Sequence, residues 1–481
     1  VEILESWQSV ENVVVVGNLL DDEQAGHGSI LFHVNATLWR GAAPLSHDTM
    51  VCQVIHVTST RRCALLLATS LLCGAPAASA QPAAARGFGW KNERPALIVA
   101  DDLYVTLRSR LVFDTRGFDP DVDEDTYRLD VARIGLKGEL TRHVDFEIER
   151  EIDDNGEWED WKDVYVNWDT FDRAGVRAGR FKIPFGFEQN LGRTEIDFIY
   201  RARISTQLTP ARDKGVLLHG RAFGRGLTYD VGAFATDGDI GKLTEPQFTP
   251  SAADDLGPTY AGRVTAAILR PMVGEETALR SLRVGAAYTN GQLPEGLNSL
   301  RGETPYGYDY FEPVYVNGRR QRLGLELDWT PGPYGLRAEW IQSREDRRGQ
   351  GLGNVDLSDL LGTGWYVAGT WLVTGQDKDD NVSMKRSVLR GGPGAIELAL
   401  RYEELAFGSV NREGPASSNP RADHLVENRT RITTAGVNWY VMPHVKVVLN
   451  ALHETFTDAT RTPKAGASSF LSGVVRLQVV F

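Results

Sequence analysis

Beyond residue 100 the chain alternates between apolar and polar positions. Leu103, Val105, Leu107, Leu111 and Phe113 oppose Thr106, Arg108 and Arg110, while Leu323, Leu325, Leu327 and Trp329 oppose Arg322, Glu326 and Asp328. Ile396, Leu398, Leu400 and Tyr402 likewise oppose Glu397, Arg401 and Glu403. Successive side chains of a strand point to opposite faces, so each stretch predicts a strand with one apolar and one charged face. Sixteen segments of this kind can be counted, the others centred on Ile134, Phe146, Val164, Val176, Val216, Tyr229, Val264, Val284, Ala338, Val367, Val437 and Val447. In the last, Leu471, Val475, Leu477, Val479 and Phe481 share a face opposite Ser472, Arg476 and Gln478. Alternation alone fits a half-buried soluble sheet as well as a strand between lipid and water.

The connections favour the second. Those after odd-numbered segments are mostly long, as at 115–126, 184–212, 291–319 and 404–429, and those after even-numbered segments are mostly short, as at 141–143, 223–226, 330–334 and 442–444. Long outer loops alternating with tight turns are expected of an outer-membrane barrel. The stretch 374–393 breaks the rule, being long where a short turn is due. The expected fold is therefore all-β, a sixteen-stranded antiparallel transmembrane β-barrel over 101–481, preceded by a short periplasmic segment over 81–100. Closure leaves no strand edge, the condition for crossing lipid with strands. Trp329, Trp340, Trp365, Trp371, Trp439 and Tyr440 are candidates for interfacial girdles.

An export signal precedes the barrel. Met50 is followed by Arg61 and Arg62, a short apolar run from Cys63 to Leu72, and small residues ending Ala78-Ser79-Ala80. Positive flank, short apolar core and small residues describe a signal peptide over 50–80, cleaved near Ala80. Residues 1–49 read either as upstream translation from a misplaced start or as a genuine extended leader. The apolar run is shorter than the roughly 20 residues a membrane helix needs, and nothing from Gln81 onward approaches that length.

Composition then narrows the function. Cys52, Cys63 and Cys73 are the only cysteines and all precede residue 81, so the mature part offers no disulfide framework, zinc ribbon or thiol nucleophile. From Gln81 onward 49 basic face 57 acidic residues, an acidic excess that argues against nucleic acid as partner. His143, His219, His424, His444 and His453 are scattered without metal-ligand spacing, and Gly351-x-Gly353 follows no strand-to-helix pattern. No cofactor or metal is expected, and an enzyme reading would rest on His219 alone. A secreted adhesin would be expected to show repeats of about 20 to 50 residues, and none is seen.

Two adjoining stretches resemble a known family. Gly179-Arg180-Phe181-Lys182-Ile183-Pro184-Phe185-Gly186-Phe187-Glu188 and Leu208-Thr209-Pro210-Ala211-Arg212-Asp213-Lys214-Gly215-Val216 are similar to the phosphate-selective porin O and P family. So are the late segments Gly394-Ala395-Ile396-Glu397-Leu398-Ala399-Leu400-Arg401-Tyr402 and Gly436-Val437-Asn438-Trp439-Tyr440. The resemblance implies a trimeric outer-membrane channel whose third outer loop, here about 184–212, folds inward to narrow the pore. Pro184 lacks a ladder donor and Gly186 permits a reversal, which suits a chain leaving its strand.

Arg193, Arg201, Arg203 and Arg212, with Arg180, Lys182 and Lys214 at the loop's ends, are the candidate anion-binding constriction. Arg108, Arg110, Arg133, Arg263, Arg283 and Arg322 would extend it as a lumen ladder. Guanidinium groups make two-pronged bonds to phosphate oxygens and can replace part of an anion's hydration shell. Phosphate or pyrophosphate is then the expected solute, and the alternative is that carboxylates such as Glu188, Glu195, Asp197 and Asp213 pair with these arginines in an unselective polar pore. Only ten lysines lie beyond residue 80, where the phosphate-specific members have lysine clusters. Asp119, Asp121, Asp123, Glu124 and Asp125, and Asp153, Asp154, Glu157, Glu159 and Asp160, make the outer connections acidic. The expected partners are small anions, outer-membrane lipid and lipopolysaccharide, further copies of the chain in a homotrimer, and the barrel-assembly machinery, with Phe481 as its signal.

Overall fold

The computed structural model describes residues 13–20, 31–38 and 86–481, apart from 92, 120–125, 153–155, 172, 225, 239–255, 271, 273, 275–276, 379–381, 383, 411–424 and 465. The signal segment 50–80 and the acidic residues Asp121, Asp123, Glu124, Asp125, Asp153 and Asp154 therefore lie outside the described residues. The chain divides into two units, 1–81 and 82–481. In the first, β1 (Val13–Leu20) and β2 (Leu31–Leu38) pair antiparallel from Val13 opposite Leu38 to Leu20 opposite Leu31. The sequence shows no sustained alternation there, but its valine run has high strand propensity.

The second unit begins with a hairpin, β3 (Gly87–Lys91) and β4 (Arg94–Ala100), and continues into the barrel. Its first nine strands are β5 (Leu103–Phe118), β6 (Thr126–Thr141), β7 (Val144–Ile152), β8 (Trp158–Phe171), β9 (Ala174–Lys182), β10 (Arg212–Ala222), β11 (Leu227–Phe234), β12 (Thr259–Ala266) and β13 (Arg283–Gly296). A two-stranded ribbon, β14 (Gly302–Glu303) and β15 (Asp309–Phe311), interrupts the order. Seven more strands follow: β16 (Val316–Trp329), β17 (Tyr334–Arg347), β18 (Leu357–Leu372), β19 (Ala395–Ser409), β20 (Asn428–Met442), β21 (Val445–Phe456) and β22 (Ser469–Val480). All sixteen alternating segments are barrel strands.

The ring closes where β22 pairs antiparallel with β5, from Ser472 opposite Phe118 to Val480 opposite Arg110. Phe481 completes the seam: its N–H donates to the Ser109 carbonyl at 2.9 Å and its own carbonyl accepts from the Ser109 N–H at 3.0 Å. The start of β5 lies beyond that seam, and there β4 takes the free edge, pairing Ala96 with Thr106 and Ile98 with Tyr104. A segment expected only to precede the barrel thus extends its sheet.

Burial is inverted relative to a soluble sheet. Leu400 and Leu471 are 58% and 60% exposed, whereas Arg401 and Arg476 on the opposite faces of the same strands are 1% and 0% exposed. An apolar exterior around a charged interior is what lipid outside and water inside require. Trp365, Trp371 and Trp439 are exposed on the outer face, but Tyr440 turns inward and its hydroxyl donates to Glu397 at 3.0 Å. Consecutive strand residues point oppositely, so Trp439 and Tyr440 cannot share a girdle. The short turns collect at one end, with two exceptions: 373–394, expected, and 267–282, missed.

Replacing outward Leu400 at mid-strand by arginine is expected to destabilise the barrel by about 2–4 kcal/mol. Urea unfolding from lipid vesicles, followed by tryptophan fluorescence, measures it.

Candidate functional site: two inward loops and an arginine lattice

The connection 183–211 leaves β9 at Pro184 and turns at Gly186, whose φ of 74° favours glycine. Helix α1 (Phe187–Asn190) follows, and its first amides, Phe187 and Glu188, donate to the two Glu339 carboxylate oxygens at 2.5 and 3.0 Å. A carboxylate there satisfies amides that have no partner within the helix. The loop then crosses to β20–β22. Lys446 donates to the Ile196 carbonyl at 3.2 Å, Asn438 to that of Asp197 at 2.9 Å and Arg476 to that of Ile199 at 3.0 Å. Asn450 accepts from the Ile199 amide at 2.7 Å, and Arg401 on β19 donates to the Tyr200 carbonyl at 3.0 Å. Helix α2 (Arg203–Gln207) carries the chain back, with Ile204 and Leu208 seated on β18. Side chains at Gly362 and Gly364 would collide with Leu208 and Ile204, so the wall is glycine where the loop touches it.

A second loop, 297–315, also folds inward. Its Leu300, Tyr310, Phe311 and Val314 join Phe198, Ile204 and Leu208 of the first loop and Phe407 and Phe456 of the wall in one apolar cluster. Asn428 donates to the Tyr310 carbonyl at 2.8 Å, and the Leu300 amide donates to both Glu345 oxygens at 3.2 Å. The strand spacing predicts only a long outer connection here, at 291–319. Its signal was the density of apolar residues, which a solvated loop does not need.

Charged pairs fill the wall between these contacts. Arg203 bonds both oxygens of Glu454 at 3.0 Å, and its amide donates to Glu403 at 2.5 Å. Glu147, Glu149 and Asp163 bring carboxylate oxygens within 4.8 Å of one another. Arg108, Arg110, Arg133 and Arg212 pair with them, which makes the group part of an ion-pair lattice. One region carries an excess of cations. Around Asp114 and Asp130 stand Arg476, at 2.7 Å from both, Arg128 and Arg193, each 3.0 Å from Asp130, and Arg116, 3.7 Å from both. Among the described residues the buried Arg116 Nε has no hydrogen-bond partner. The Arg128 and Arg193 side chains keep 39% and 33% of their surface exposed, so this group reaches solvent.

A family model described as phosphate-selective porin O and P matches residues 105–481. The chain belongs to that family. Among solved structures, an in-vitro folded OmpT of Vibrio cholerae shares 10% identity at a TM-score of 0.50, over 79% of this chain and 98% of that one. The outer-membrane channel DcaP of Acinetobacter baumannii shares 12% identity at 0.50, over 82% and 100%. These likenesses concern the fold. No curated protein sequence matches the chain.

The porin's candidate residues divide into three groups. Most are paired: Arg193 with Asp130, Arg203 with Glu454, Arg212 with Asp163, Arg108 with Glu147, Arg110 with Glu149, and Arg133 with Glu151. Arg263 pairs with Glu326, Arg283 with Asp328 and Arg322 with Asp237, each at 2.7 Å. Lys182 and Arg201 instead hold the porin's loop, Lys182 donating to the Gln189 and Leu191 carbonyls and Arg201 to those of Glu188 and Leu191. Arg180 and Lys214 require a correction. They lie opposite each other in the β9–β10 register, on the face of the exposed Val176, Val216 and Leu218, because strand parity carries them outward.

The expected carboxylate partners differ as well. Glu195 accepts from the Gly192 amide at 2.7 Å, Asp213 from Thr236 at 2.6 Å, and Glu188 from the Ala202 amide at 2.7 Å with Arg401 at 3.4 Å. Asp197 takes Lys378 on one oxygen and Arg337 on the other, both at 2.6 Å. The arginines pair mainly with wall carboxylates, which lie far away in sequence.

Burial raises the Glu188 carboxyl above its usual value against the pull of Arg401. Burial acts likewise on Asp197, but Lys378 and then Arg337 outweigh it and hold the carboxyl at about 2. A depressed folded value contributes stability above the ordinary 3.8, lost as pH falls toward 2. Asp197→Asn is therefore expected to lose about 2 kcal/mol at pH 7, a difference that shrinks between pH 4 and pH 2 when paired urea unfolding curves are compared. Glu454→Gln strands buried Arg203 and is expected to cost about 3–5 kcal/mol in the same assay.

Proposed function

We propose that this outer-membrane porin passes small anions, phosphate among them, by passive diffusion along its charged lumen. The observation that carries the reading is the group of Arg116, Arg128, Arg193 and Arg476 around only Asp114 and Asp130, with two of the four side chains partly exposed. An excess of guanidinium beside water lowers the cost of stripping part of an anion's hydration shell, and sites of modest strength let the ion leave again. The constriction loop contributes Arg193 to this group. Arg201 and Arg203 support the reading less directly, since Arg201 donates to loop carbonyls and Arg203 to Glu454. The reading requires neither a catalytic step nor a cofactor.

A second reading is supported by the pairing elsewhere. Where each lumen arginine meets a carboxylate, the wall supplies a field that orients polar solutes without choosing their sign. The proposed biogenesis is export on the 50–80 signal with cleavage near Ala80, recognition of Phe481 by the barrel-assembly machinery, and assembly as a homotrimer among lipopolysaccharide. Residues 1–49 stay outside the mature chain in this scheme.

Reversal potentials in a potassium chloride gradient across a planar bilayer separate the two readings. The anion reading expects chloride preference, phosphate block of the chloride current, and loss of both in the double variant R128A/R193A. Equal permeability in the wild-type porin, without phosphate block, supports the unselective pore.

A further inference from the structure

The constriction loop joins β9 and β10 at their ends away from the short turns, yet its Asp197 is held close to the turn side. Arg337 sits four residues into β17 after the short 330–333 turn, and Asn438, Glu397 and Lys446 all lie within a few residues of the turn ends of their strands. Asp197 meets Arg337 at 2.6 Å, and its carbonyl accepts from Asn438 at 2.9 Å. The loop thus reaches the turn-side part of the barrel.

There it meets the long turn that breaks the spacing rule. Lys378, in the described part of 373–394, is 5% exposed and bonds Asp197 Oδ1 at 2.6 Å with the Glu397 carboxylate as its second partner. The main chain of the turn is itself fixed. The Lys378 amide donates to the Gly332 carbonyl at 2.6 Å, Val373 to that of Ile396 at 3.0 Å, and Ile396 to the Thr374 hydroxyl at 3.1 Å. A side chain at Gly335 would lie in ordinary contact with the Lys378 stem at 3.4 Å, so the lysine passes directly over this strand position. Asp197 therefore has one cation from the wall, Arg337, and one from the turn, Lys378.

We propose that Lys378 is a positioning residue, through which the turn between β18 and β19 holds the tip of the constriction loop from the turn side of the barrel. The start of the loop is fixed to β17 by Glu339, and its next stretch to β21 and β22 by Asn450 and Arg476. Lys378 ties Asp197 to a segment outside the strands. The loop is then held by the wall and by the turn together, and a displacement of the turn reaches it through one ammonium group. An ammonium supplies the contact because it can serve Asp197 and Glu397 together while the long stem spans from the turn. A purely structural lysine would stabilise the wall without affecting the current.

The three cysteines all precede residue 81, so Lys378→Cys places a single thiol in the mature barrel. In planar bilayers K378C is expected to spend roughly tenfold more time in conductance substates than the wild type, as expected when a coupling contact is lost. Aminoethyl methanethiosulfonate, which restores an ammonium at nearly the lysine's reach, returns the wild-type trace, and methyl methanethiosulfonate does not. K378R keeps the charge and is expected to stay close to wild type. Wild-type traces from K378C, or equal rescue by the neutral reagent, overturn the proposal. So does failure of both K378C and K378R to yield heat-modifiable barrels, which assigns Lys378 to assembly instead.

Discussion

A strand in lipid can leave no backbone N–H or C=O without a partner, and everything else in this molecule follows from meeting that condition by closure. Sixteen strands pair around the ring, and the last finds the first along Ser472 to Val480. Phe481 carries the pairing one residue further onto Ser109 and lays its ring 4.9 Å from that of His444. Once the ring is closed, every strand has a lipid face and an interior face, and side-chain parity alone allots each residue to one of them.

The interior face then poses the opposite problem. Arg320, Arg322, Arg401 and Arg476 are among the largest buried side chains, and a buried cation without a partner is strongly destabilising. The lumen answers with carboxylates on neighbouring strands and with loop carbonyls. Buried pairs of this kind are weak sources of net stability, but losing one partner is costly, so the lattice fixes geometry more than it adds free energy. The two inward loops fit the same scheme. Their main chain offers donors and acceptors to Glu339, Asn438, Lys446, Asn450 and Arg476, while Phe198, Ile204, Leu208, Tyr310 and Phe311 bury an apolar side against the wall. A loop held in this way is part of the barrel, and the cations Arg128 and Arg193 beside it reach solvent.

Much of this was legible in the sequence. The period-two pattern located all sixteen strands, because lipid and water select opposite side chains at every second position. The spacing located the long turn at 374–393, and Pro184 and Gly186 marked where the third loop leaves its strand. The family resemblance pointed to an inward loop, and the contacts place it there. The sequence missed the second inward loop, the hairpin of β3 and β4 on the free edge of β5, and the long turn at 267–282.

The sequence by itself determined the strands, their faces and the polarity of the interior, because these are local properties of alternation. Only the tertiary structure decided which charges meet, because the partners are far apart in sequence: Arg203 with Glu454, Arg476 with Asp114, Asp197 with Lys378. It turned Arg180 and Lys214 outward, gave Lys182 and Arg201 to the loop's own carbonyls, and brought forward Arg116 and Arg128, which no motif had marked. Pairing across a closed ring depends on register and on how deep a loop descends, and neither is written in the composition of any one segment.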